Sequence, residues 1–531
     1  MKWIGGAAFC LAGLTLYGFG IHDPNPVRFT ALGACVVFAG LFWNGTFPRC
    51  GITYLGLACL AWIALSLLWS PDPKEGALRL ESIAIGFGLF LLALHTSREL
   101  LVRHLPVFAS LAILVQSAQT LHGGMGNENF QAEFLMIAAP LALGGCWRRD
   151  WLGGVCVLAG SWAIAQALFW NGSNAPFAAL AGVCIGGLVA KKYYRAAFLL
   201  GAFGALAVYY FLPESVSVRI EYLNATLRMW ADFPWVGVGL GGFNYRYPYY
   251  SDLDALHWYI GAAHNEFAQI LATFGVVGVV LIGAFTIACI WPRERRPEEW
   301  GALAAVFSAG GLALVGFPLQ NAATAALIAI ALGVSSRPFR GETYKMPRAV
   351  TLPLVLAVGV GFTWAHVKAI DAARKFAVAE SYSGKHPAVV LKAVNAAYHA
   401  QPWNGRYRMQ LGISINGMAH GRIKVSDSAA DLAHRIAKTS SPAHPGVLVA
   451  RASYLMNTGR QTGEIESLLA TLRATSKRIP ETWAASAAYE KRRGNERGAV
   501  EWIARGLEAG ISFSRMRTVA ARVGLEIKEK T

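Results

Sequence analysis

Residues 264–290 read HNEFAQILATFGVVGVVLIGAFTIACI, a polar start of His264, Asn265 and Glu266 followed at once by a long apolar run. A helix needs about 20 apolar residues to cross the hydrocarbon core of a bilayer, and this run is long enough. Ionisable groups at the edge of a membrane span are costly to hold there, so they are candidates for function. The stretch predicts a membrane-spanning helix that begins at a functional site.

The rest of the chain has the same character. Of its 531 residues, 55% are hydrophobic and 15% are charged, and the formal net charge is +17. Soluble domains carry about 25% charged residues, so this composition is typical of a membrane protein. Lys and Arg are concentrated in short loops between apolar runs, which is how membrane proteins set their orientation and argues against nucleic-acid binding. The eight cysteines lie in or beside apolar runs, and no disulfide framework is expected.

The apolar runs predict thirteen membrane spans. They cover residues 3–20, 28–44, 50–69, 77–95, 105–121, 130–146, 152–169, 175–190, 196–212, 264–290, 301–317, 321–336 and 349–367. Every second loop is basic and is expected in the cytoplasm. Those loops contain Arg98, Arg103, Arg148, Arg149, Lys191, Lys192, Arg195, Arg293, Arg295, Arg296, Arg337, Arg340, Lys345 and Arg348. The remaining loops, including 213–263, and the segment after the last span are therefore expected outside.

The chain divides into four parts on this basis. They are spans 1–9 (1–212), an outer catalytic loop (213–263), spans 10–13 (264–367) and a soluble helical domain (368–531). Within the last part, three pairs of residues match at a spacing near 35: Leu448/Trp483, Tyr454/Tyr489 and Gly459/Gly494. This period is similar to that of tetratricopeptide repeats, which stack into a binding superhelix; an irregular helical domain is the alternative. The predicted fold is all-α, a polytopic transmembrane helical bundle with a C-terminal TPR-like domain.

The outer loop begins with a predicted amphipathic helix over 216–232. Its apolar face carries Ile220, Leu223, Leu227 and Trp230. Arg219 and Arg228 are nine residues apart, which is about 180° around a helix, so only one of them is expected to point into a site. Pro234 ends the helix.

A glycine-rich and then a tyrosine-rich segment follow this helix. The glycines at 237, 239, 241 and 242 allow the backbone to approach a ligand or another helix closely. They do not form a dinucleotide fingerprint, since no strand–turn–helix unit surrounds them. Residues 243–250, FNYRYPYY, come next, and an interfacial aromatic belt with an anchoring arginine is the alternative to a binding role.

Two residues of this loop and the histidine that directly follows it suit one chemistry. Arg219 and Arg246 can hold phosphate oxygens through paired donors and stay charged in a partly dry site. The imidazole of His264 can take a proton from an acceptor hydroxyl, although a lone histidine at a helix start is more often structural. Together they predict transfer from a pyrophosphate-linked lipid. The polar segment 126–133 is expected to line the same cavity, with helix capping as the alternative. No metal-binding motif is present and no cofactor is expected.

At these residues the chain resembles the family of O-antigen ligases and O-antigen polymerases, which are bacterial membrane glycosyltransferases. The shared pattern is an Arg-led helix, then Pro-x-x-Gly-x-Gly-x-Gly-x-Phe, a tyrosine-rich turn, and Ala-His-Asn before a Gly-rich span. In this chain these are Arg219 to Leu227, Pro234 to Phe243, Arg246 to Tyr250, and Ala263 to Asn265 through Gly275 and Gly278. The resemblance covers about residues 1–335. One departure is Gly172-Ser173-Asn174, where family members often have Ser-Arg-Gly, so one fewer cation is present for the donor.

The resemblance implies a metal-independent glycosyltransferase of the bacterial inner membrane, with its loop and C-terminal domain in the periplasm. The donor is a glycan on undecaprenyl pyrophosphate; the acceptor is lipid A core, growing polysaccharide or protein. His264, Arg219 and Arg246 are the expected catalytic residues. The expected substrate contacts are Arg228, Asn129, Asn265, Glu266, Tyr247 and Tyr249. The alternatives are a flippase for lipid-linked glycans, which would need interior charges and paired broken helices, and a non-catalytic scaffold with a TPR-like tail.

Overall fold

The computed structural model describes residues 46–48, 51–95, 98–120, 128–148, 150–169, 175–190, 213–251, 262–291, 299–336, 343–345, 353, 367–382, 386–402, 404, 406–407, 410–411, 414, 445–459, 462–477 and 479–526. The predicted spans 3–20, 28–44 and 196–212 lie outside these residues, as does 349–367 apart from positions 353 and 367.

The described chain up to Ser335 is almost entirely helical. Its helices are α1 (Gly51–Leu65), α2 (Pro73–His95), α3 (Arg98–Thr120), α4 (Glu128–Leu143), α5 (Trp151–Phe169), α6 (Ala175–Ala190), α7 (Pro213–Asp232), α8 (Phe243–Arg246), α9 (Glu266–Ile290), α10 (Trp300–Ala313) and α11 (Ala322–Ser335). Short 3-10 helices occur at Ser66–Leu68, Gly144–Trp147, Tyr247–Tyr249 and Pro318–Gln320. All of these α-helices except α7 and α8 fall on predicted spans.

Among the described residues, five helical segments are long and apolar enough to cross a membrane. They are Gly51–Leu68, Pro73–Leu94, Asn129–Trp147, Trp151–Phe169 and Glu266–Ile290. The apolar parts of α3, α6, α10 and α11 are shorter. These helices agree with a polytopic helical bundle, while the total of thirteen spans stays a prediction.

A small antiparallel strand pair joins two loops of the bundle. β1 (Thr46–Pro48) pairs with β2 (Thr343–Lys345), and Phe47 lies opposite Tyr344. The sequence pattern predicted no strand. Both loops were assigned to the cytoplasmic side by the charge alternation, and the pairing requires them to lie on the same side.

The described residues form two compact units. The first comprises those within Met1–Leu223, Phe233–Leu240 and Ala262–Ile370; the second comprises those within Asn224–Asp232, Gly241–Gly261 and Asp371–Thr531. In the first unit α4 is central and packs against α3, α5, α10 and α11. Its side chains Phe134, Leu135 and Ile137 are at most 1% exposed. This packing fixes the position of the N-terminal end of α4, which contributes to the site described below.

The helix that follows His264 is broken at one residue. Gly275 of α9 has φ 66° and ψ −171°, a conformation that is essentially restricted to glycine. Backbone groups released by a break in apolar surroundings must find new partners. Residues 234–239, which we call the glycine clasp, supply them through four backbone hydrogen bonds of 2.9–3.3 Å: Val238 N to Ala272 O, Gly239 N to Thr273 O, Val276 N to Pro234 O and Val277 N to Trp235 O.

The clasp can approach this closely because both surfaces carry glycine. A Cβ atom at Gly275 would lie 2.2 Å from the carbonyl oxygen of Trp235, and one at Gly237 would lie 2.4 Å from that of Thr273. The indole Nε1 of Trp62 donates to the carbonyl of Phe274 at 3.2 Å. The glycine-rich motif thus holds the broken helix, and through it the residues at its beginning.

The apolar face predicted for α7 is only partly covered by the protein, and Leu223 and Trp230 are half-buried. Ile220 and Leu227 are 43% and 38% exposed, whereas Ala225, Thr226 and Met229 are buried. An amphipathic helix at a membrane surface can turn its apolar face towards lipid. The polar side of such a helix is then available to the protein interior, which is where Arg219 contacts its partner.

The second unit contains the C-terminal helices. They are α12 (Pro387–Ala400), α13 (Pro445–Thr458), α14 (Thr462–Thr475), α15 (Pro480–Arg492), α16 (Glu496–Glu508) and α17 (Phe513–Arg522). α13 packs on α14, and α15 on α16. The two hairpins begin 35 residues apart, at Pro445 and Pro480.

Residues that match by sequence occupy equivalent positions in these two hairpins. Tyr454 and Tyr489 are 6% and 7% exposed, and the glycines 459 and 494 have φ values of 66° and 78°. The similarity of the two hairpins supports a structural repeat of 35 residues. Its assignment to the tetratricopeptide class stays a prediction.

Candidate active site

His264 has an unusual backbone conformation. Its φ is +52°, and no other residue with a side chain has a positive φ in the part of the chain that the structure describes. The left-handed region is unfavourable for a residue with a Cβ atom and persists only where the surroundings enforce it. Here the N–H of Ala263 donates to Gln269 Oε1 at 2.8 Å, and Asn265 caps α9 by accepting from the N–H of Ala268 at 2.9 Å. Such conformations are concentrated at functional sites.

The imidazole ring of His264 is held between two aromatic rings. Tyr222 of α7 stacks on it with a centroid distance of 5.0 Å and an interplanar angle of 12°. Phe317 meets it edge-on at 4.9 Å and 80°. The ring is therefore fixed in orientation by residues from α7 and from the turn between α10 and α11.

His264 is neutral at physiological pH. Burial lowers the pKa of its imidazole to about 4, and the positive charge of Arg219 acts in the same direction. A neutral imidazole has one nitrogen free to accept a proton. The group is thus in the protonation state that a general base requires.

Arg219 lies beside His264 in the first unit. Its Nη1 donates to the carbonyl of Val315 at 2.8 Å. Burial lowers the pKa of the guanidinium, while the carboxylate of Glu133 opposes that shift. An arginine stays charged in proteins, and the bond to Val315 uses one of its five N–H donors.

The residues of the site are all attached to one short segment, 314–319, which we call the outer turn. The carbonyls of Leu314 and Val315 accept from Asn265 Nδ2 and Arg219 Nη1, and the N–H of Leu319 donates to Glu266 Oε1 at 3.1 Å. Phe317 packs on His264, as described above, and on Phe130 at 5.3 Å. The sequence pattern assigned this turn only to an outer loop. Its contribution is mainly through backbone atoms, which leave no signature in the sequence.

Glu133 is a further member of the site. It is 2% exposed, and its Oε2 has no hydrogen-bond partner among the described residues. A Cβ atom at Gly316 would lie 2.3 Å from Oε1, so the absence of a side chain at Gly316 makes room for this carboxyl. Arg219 and Glu266 are its electrostatic neighbours. The sequence analysis expected the segment 126–133 to line the cavity but gave Glu133 itself no role. Its position as a charged residue inside an apolar run is the signal that could have singled it out.

A comparison with known protein families gives a match at these residues. Residues 134–283 match the family model described as O-Antigen ligase, and this segment contains Arg219, Arg246 and His264. The match covers 150 of the 531 residues, and in this stretch the chain is similar to the O-antigen ligase family. No curated protein and no solved structure matches it. The apolar helices and this match point to an integral membrane protein, and the match suggests a glycosyltransferase-like enzyme.

Two residues expected to contact substrate serve the fold of the segment that matches the family model. Asn265 uses its side chain twice, as the N-cap of α9 and as a donor to Leu314. Glu266 is 5% exposed and accepts from the outer turn. Asn129 is exposed at the start of α4. Contacts of these three residues with substrate stay predictions. Asn265 and Glu266 hold the backbone next to His264 in place through the contacts just described.

The remaining predicted site residues belong to the second unit. Arg228 Nη1 donates to the carbonyl of Tyr250 at 3.0 Å. Arg228 and Arg219 thus bind different partners, which agrees with their predicted positions on opposite faces of α7. Tyr247 is fully buried and packs on Phe243 at 5.5 Å. The structure brings Arg219 and His264 together within the first unit. The convergence of Arg246 with them stays a prediction.

Within the described ranges, no group of three or more His, Cys, Asp or Glu side chains lies close enough together to hold a metal ion.

Proposed function

We propose that this protein transfers a glycan from an undecaprenyl-pyrophosphate carrier to an acceptor on the periplasmic face of the inner membrane. The observation that carries the proposal is His264 itself, neutral, held in a strained conformation and stacked between two rings next to Arg219. A strained backbone, a perturbed pKa and an adjacent cation are what a catalytic base beside an anionic substrate would need.

The donor would be bound by arginine. Arg219 has donors left for a phosphate oxygen after its bond to Val315, and Arg246 would supply a second guanidinium. Guanidinium groups bind phosphate oxygens through paired, charge-assisted hydrogen bonds. These cations would also stabilise the negative charge that develops on the pyrophosphate as it leaves.

The reaction would be a displacement at the anomeric carbon. His264 accepts the proton of the acceptor hydroxyl, the hydroxyl oxygen forms a bond to the anomeric carbon, and the bond from that carbon to the pyrophosphate oxygen breaks. The pyrophosphate lipid leaves with the electron pair. Because the leaving group is already activated, positioning, charge stabilisation and a base suffice, without a metal.

Donor binding would also prepare the base. Arg219 lowers the pKa of His264, and a bound pyrophosphate would offset the charge of Arg219. The imidazole would then become more basic when the donor is present, which brings its pKa nearer to the working pH that general base catalysis favours.

The arrangement of the site supports an outward-facing orientation. Arg219, Glu133, His264 and the outer turn come from different segments, and the charge alternation assigns each of these segments to the outside. We infer that the C-terminal repeats are TPR-like and offer an extended groove for a polymeric or protein acceptor. Lipid A core remains the third acceptor.

A transporter without chemistry fits the fold less well. Broken helices in transporters leave carbonyls to coordinate ions or substrate. At the break in α9 the carbonyls of Ala272, Thr273 and Phe274 accept hydrogen bonds from the glycine clasp and Trp62. A scaffold role would not explain a strained histidine next to a buried arginine.

The test is glycan transfer by the purified, reconstituted protein. The donor is a defined glycan on undecaprenyl pyrophosphate, each of the three acceptors is offered in turn, and chelator is present throughout. We expect transfer to one acceptor by the wild type and a loss of at least about 100-fold in His264→Asn, since general base catalysis contributes about 10²–10⁴-fold. Asparagine tolerates a positive φ, so folding should be kept. Full activity of this variant would remove His264 from the mechanism.

A further inference from the structure

The loop that carries Arg246 belongs to the same compact unit as the C-terminal domain. The described part of this loop, residues 241–251, groups with Asn224–Asp232 and with the described residues after Asp371 rather than with the helices of the bundle. Within this loop the turn formed by α8 and Tyr247–Tyr249 is compact. The N–H of Arg246 donates to the carbonyl of Gly242 at 3.0 Å, and that of Tyr250 to the carbonyl of Tyr247 at 3.0 Å. We call residues 243–251 the arginine turn.

One side of the arginine turn is attached to the end of α7. Arg228 Nη1 donates to the carbonyl of Tyr250, and the hydroxyl of Tyr250 donates to Asp232 Oδ2 at 2.6 Å. Ser251, the last described residue of the turn, is 2% exposed. These contacts fix the C-terminal end of the turn.

The other side is attached to the C-terminal domain through Tyr249. Its phenol is hydrogen-bonded to the side chains of Thr475 and Ser476, at the end of α14. Ser476 is fully buried, and its N–H donates to the carbonyl of Leu472 at 2.7 Å. The partner of Tyr249 is thus a helix end whose own backbone is buried and hydrogen-bonded. Burial raises the pKa of Tyr249 to about 12, so the phenol keeps its proton and its hydrogen bonds at any working pH.

We infer that the C-terminal helical domain positions the arginine turn, with Tyr249 as the positioning residue that joins them. The inference rests on the proposed role of Arg246 in holding the donor pyrophosphate. A guanidinium binds a phosphate well only when its backbone is held in place before the ligand arrives. Tyr249 is three residues from Arg246, so its anchor at α14 limits how far that backbone can move. The domain is then a working part of the transferase and not only a module for recruiting partners.

The test compares Tyr249→Phe with a matched control, Tyr382→Phe, in the full-length protein. Tyr382 is in the C-terminal unit and is 43% exposed. The first readout is amide hydrogen exchange of residues 243–251, which does not depend on any activity. The second is the split between KM for the lipid-pyrophosphate donor and kcat. Tyr249→Phe should speed exchange in the arginine turn and raise KM about fivefold, the effect of one hydrogen bond, with kcat within about twofold. Tyr382→Phe should change neither.

A partner variant makes the test specific. Thr475→Val should produce the same two changes, and the double variant Tyr249→Phe/Thr475→Val should be less impaired than the product of the single effects, because the two groups share one interaction. Unchanged exchange in Tyr249→Phe would overturn the anchor. Faster exchange with an unchanged KM would overturn the positioning role. Absence of transfer by the wild type would instead count against the proposed function, and the exchange data would still decide whether the anchor exists.

Discussion

At the scale of single residues, the conformation of His264 is the most informative finding. The sequence suggests a histidine at a helix start, which is commonly structural, and nothing in the sequence reveals its φ of +52° or its two stacked rings. The sequence does predict that Arg219 and Arg228 serve different partners, because their spacing on a continuous helix fixes that. It also predicts that the segment 126–133 lines the same cavity, but it could not single out Glu133 as the neighbour of Arg219, since that depends on how α4 packs against the outer turn.

The depressed pKa of His264 predicts an unusual pH profile. The pKa of the imidazole is about 4 in the folded protein against 6.5 for an ordinary histidine, so it stays neutral well below pH 6.5. The acid limb of the kcat/KM profile reports the pKa of His264 in the free enzyme and should lie near pH 4. The acid limb of the kcat profile reports the complex with the donor and should lie at a higher pH, because the bound pyrophosphate offsets the charge of Arg219. Transfer rates measured from about pH 3.5 to 8 would check this. An acid limb of kcat/KM near pH 6.5 would show that His264 is solvated.

The same shift has a consequence for stability. The imidazole of His264 binds a proton less tightly in the folded state than in the unfolded state. The contribution of His264 to the free energy of unfolding is therefore complete above pH 6.5 and is lost as the pH falls towards 4.

At the scale of elements, the sequence predicts spans well and their interruptions poorly. The observed bounds of α5 and α6, Trp151–Phe169 and Ala175–Ala190, agree with the predicted runs within one residue, because length and hydropathy decide such helices. The break in α9 depends on a partner segment more than 30 residues earlier in the chain. The sequence indicated that the glycines allow close approach, but it could not identify Ala272–Val277 as the segment they approach.

The glycine clasp predicts that alanine substitutions at two glycines of the same helix have very different effects on stability. In Gly275→Ala the backbone would have to keep a conformation that costs a residue with a side chain about 1–3 kcal/mol. The new methyl group would also clash with the backbone of Trp235. A Cβ atom at Gly283 would meet no other atom within 4 Å, and alanine there should be neutral or stabilise the helix by about 0.5–1 kcal/mol. Thermal unfolding in detergent should therefore show a lower Tm for Gly275→Ala and an unchanged or higher Tm for Gly283→Ala. Equal Tm values for the two variants would contradict the clasp.

At the scale of the whole molecule, the chain combines a membrane bundle, a site built at one set of helix ends and a C-terminal helical domain. The bundle and the helical nature of the tail follow from composition and periodicity. The grouping of the arginine turn with the C-terminal unit does not, because it depends on contacts between segments more than 200 residues apart, such as Tyr249 with Thr475 and Ser476.

The central claim is that the imidazole of His264 is the base in glycan transfer, and chemical rescue tests it most directly. Glycine accepts a positive φ without strain, so His264→Gly should fold and leave space where the ring was. The measurement is the single-turnover transfer rate of this variant, with and without added imidazole. We expect a loss of at least about 100-fold without imidazole and a saturable recovery when it is added. Transfer at the wild-type rate by His264→Gly without imidazole would contradict the claim.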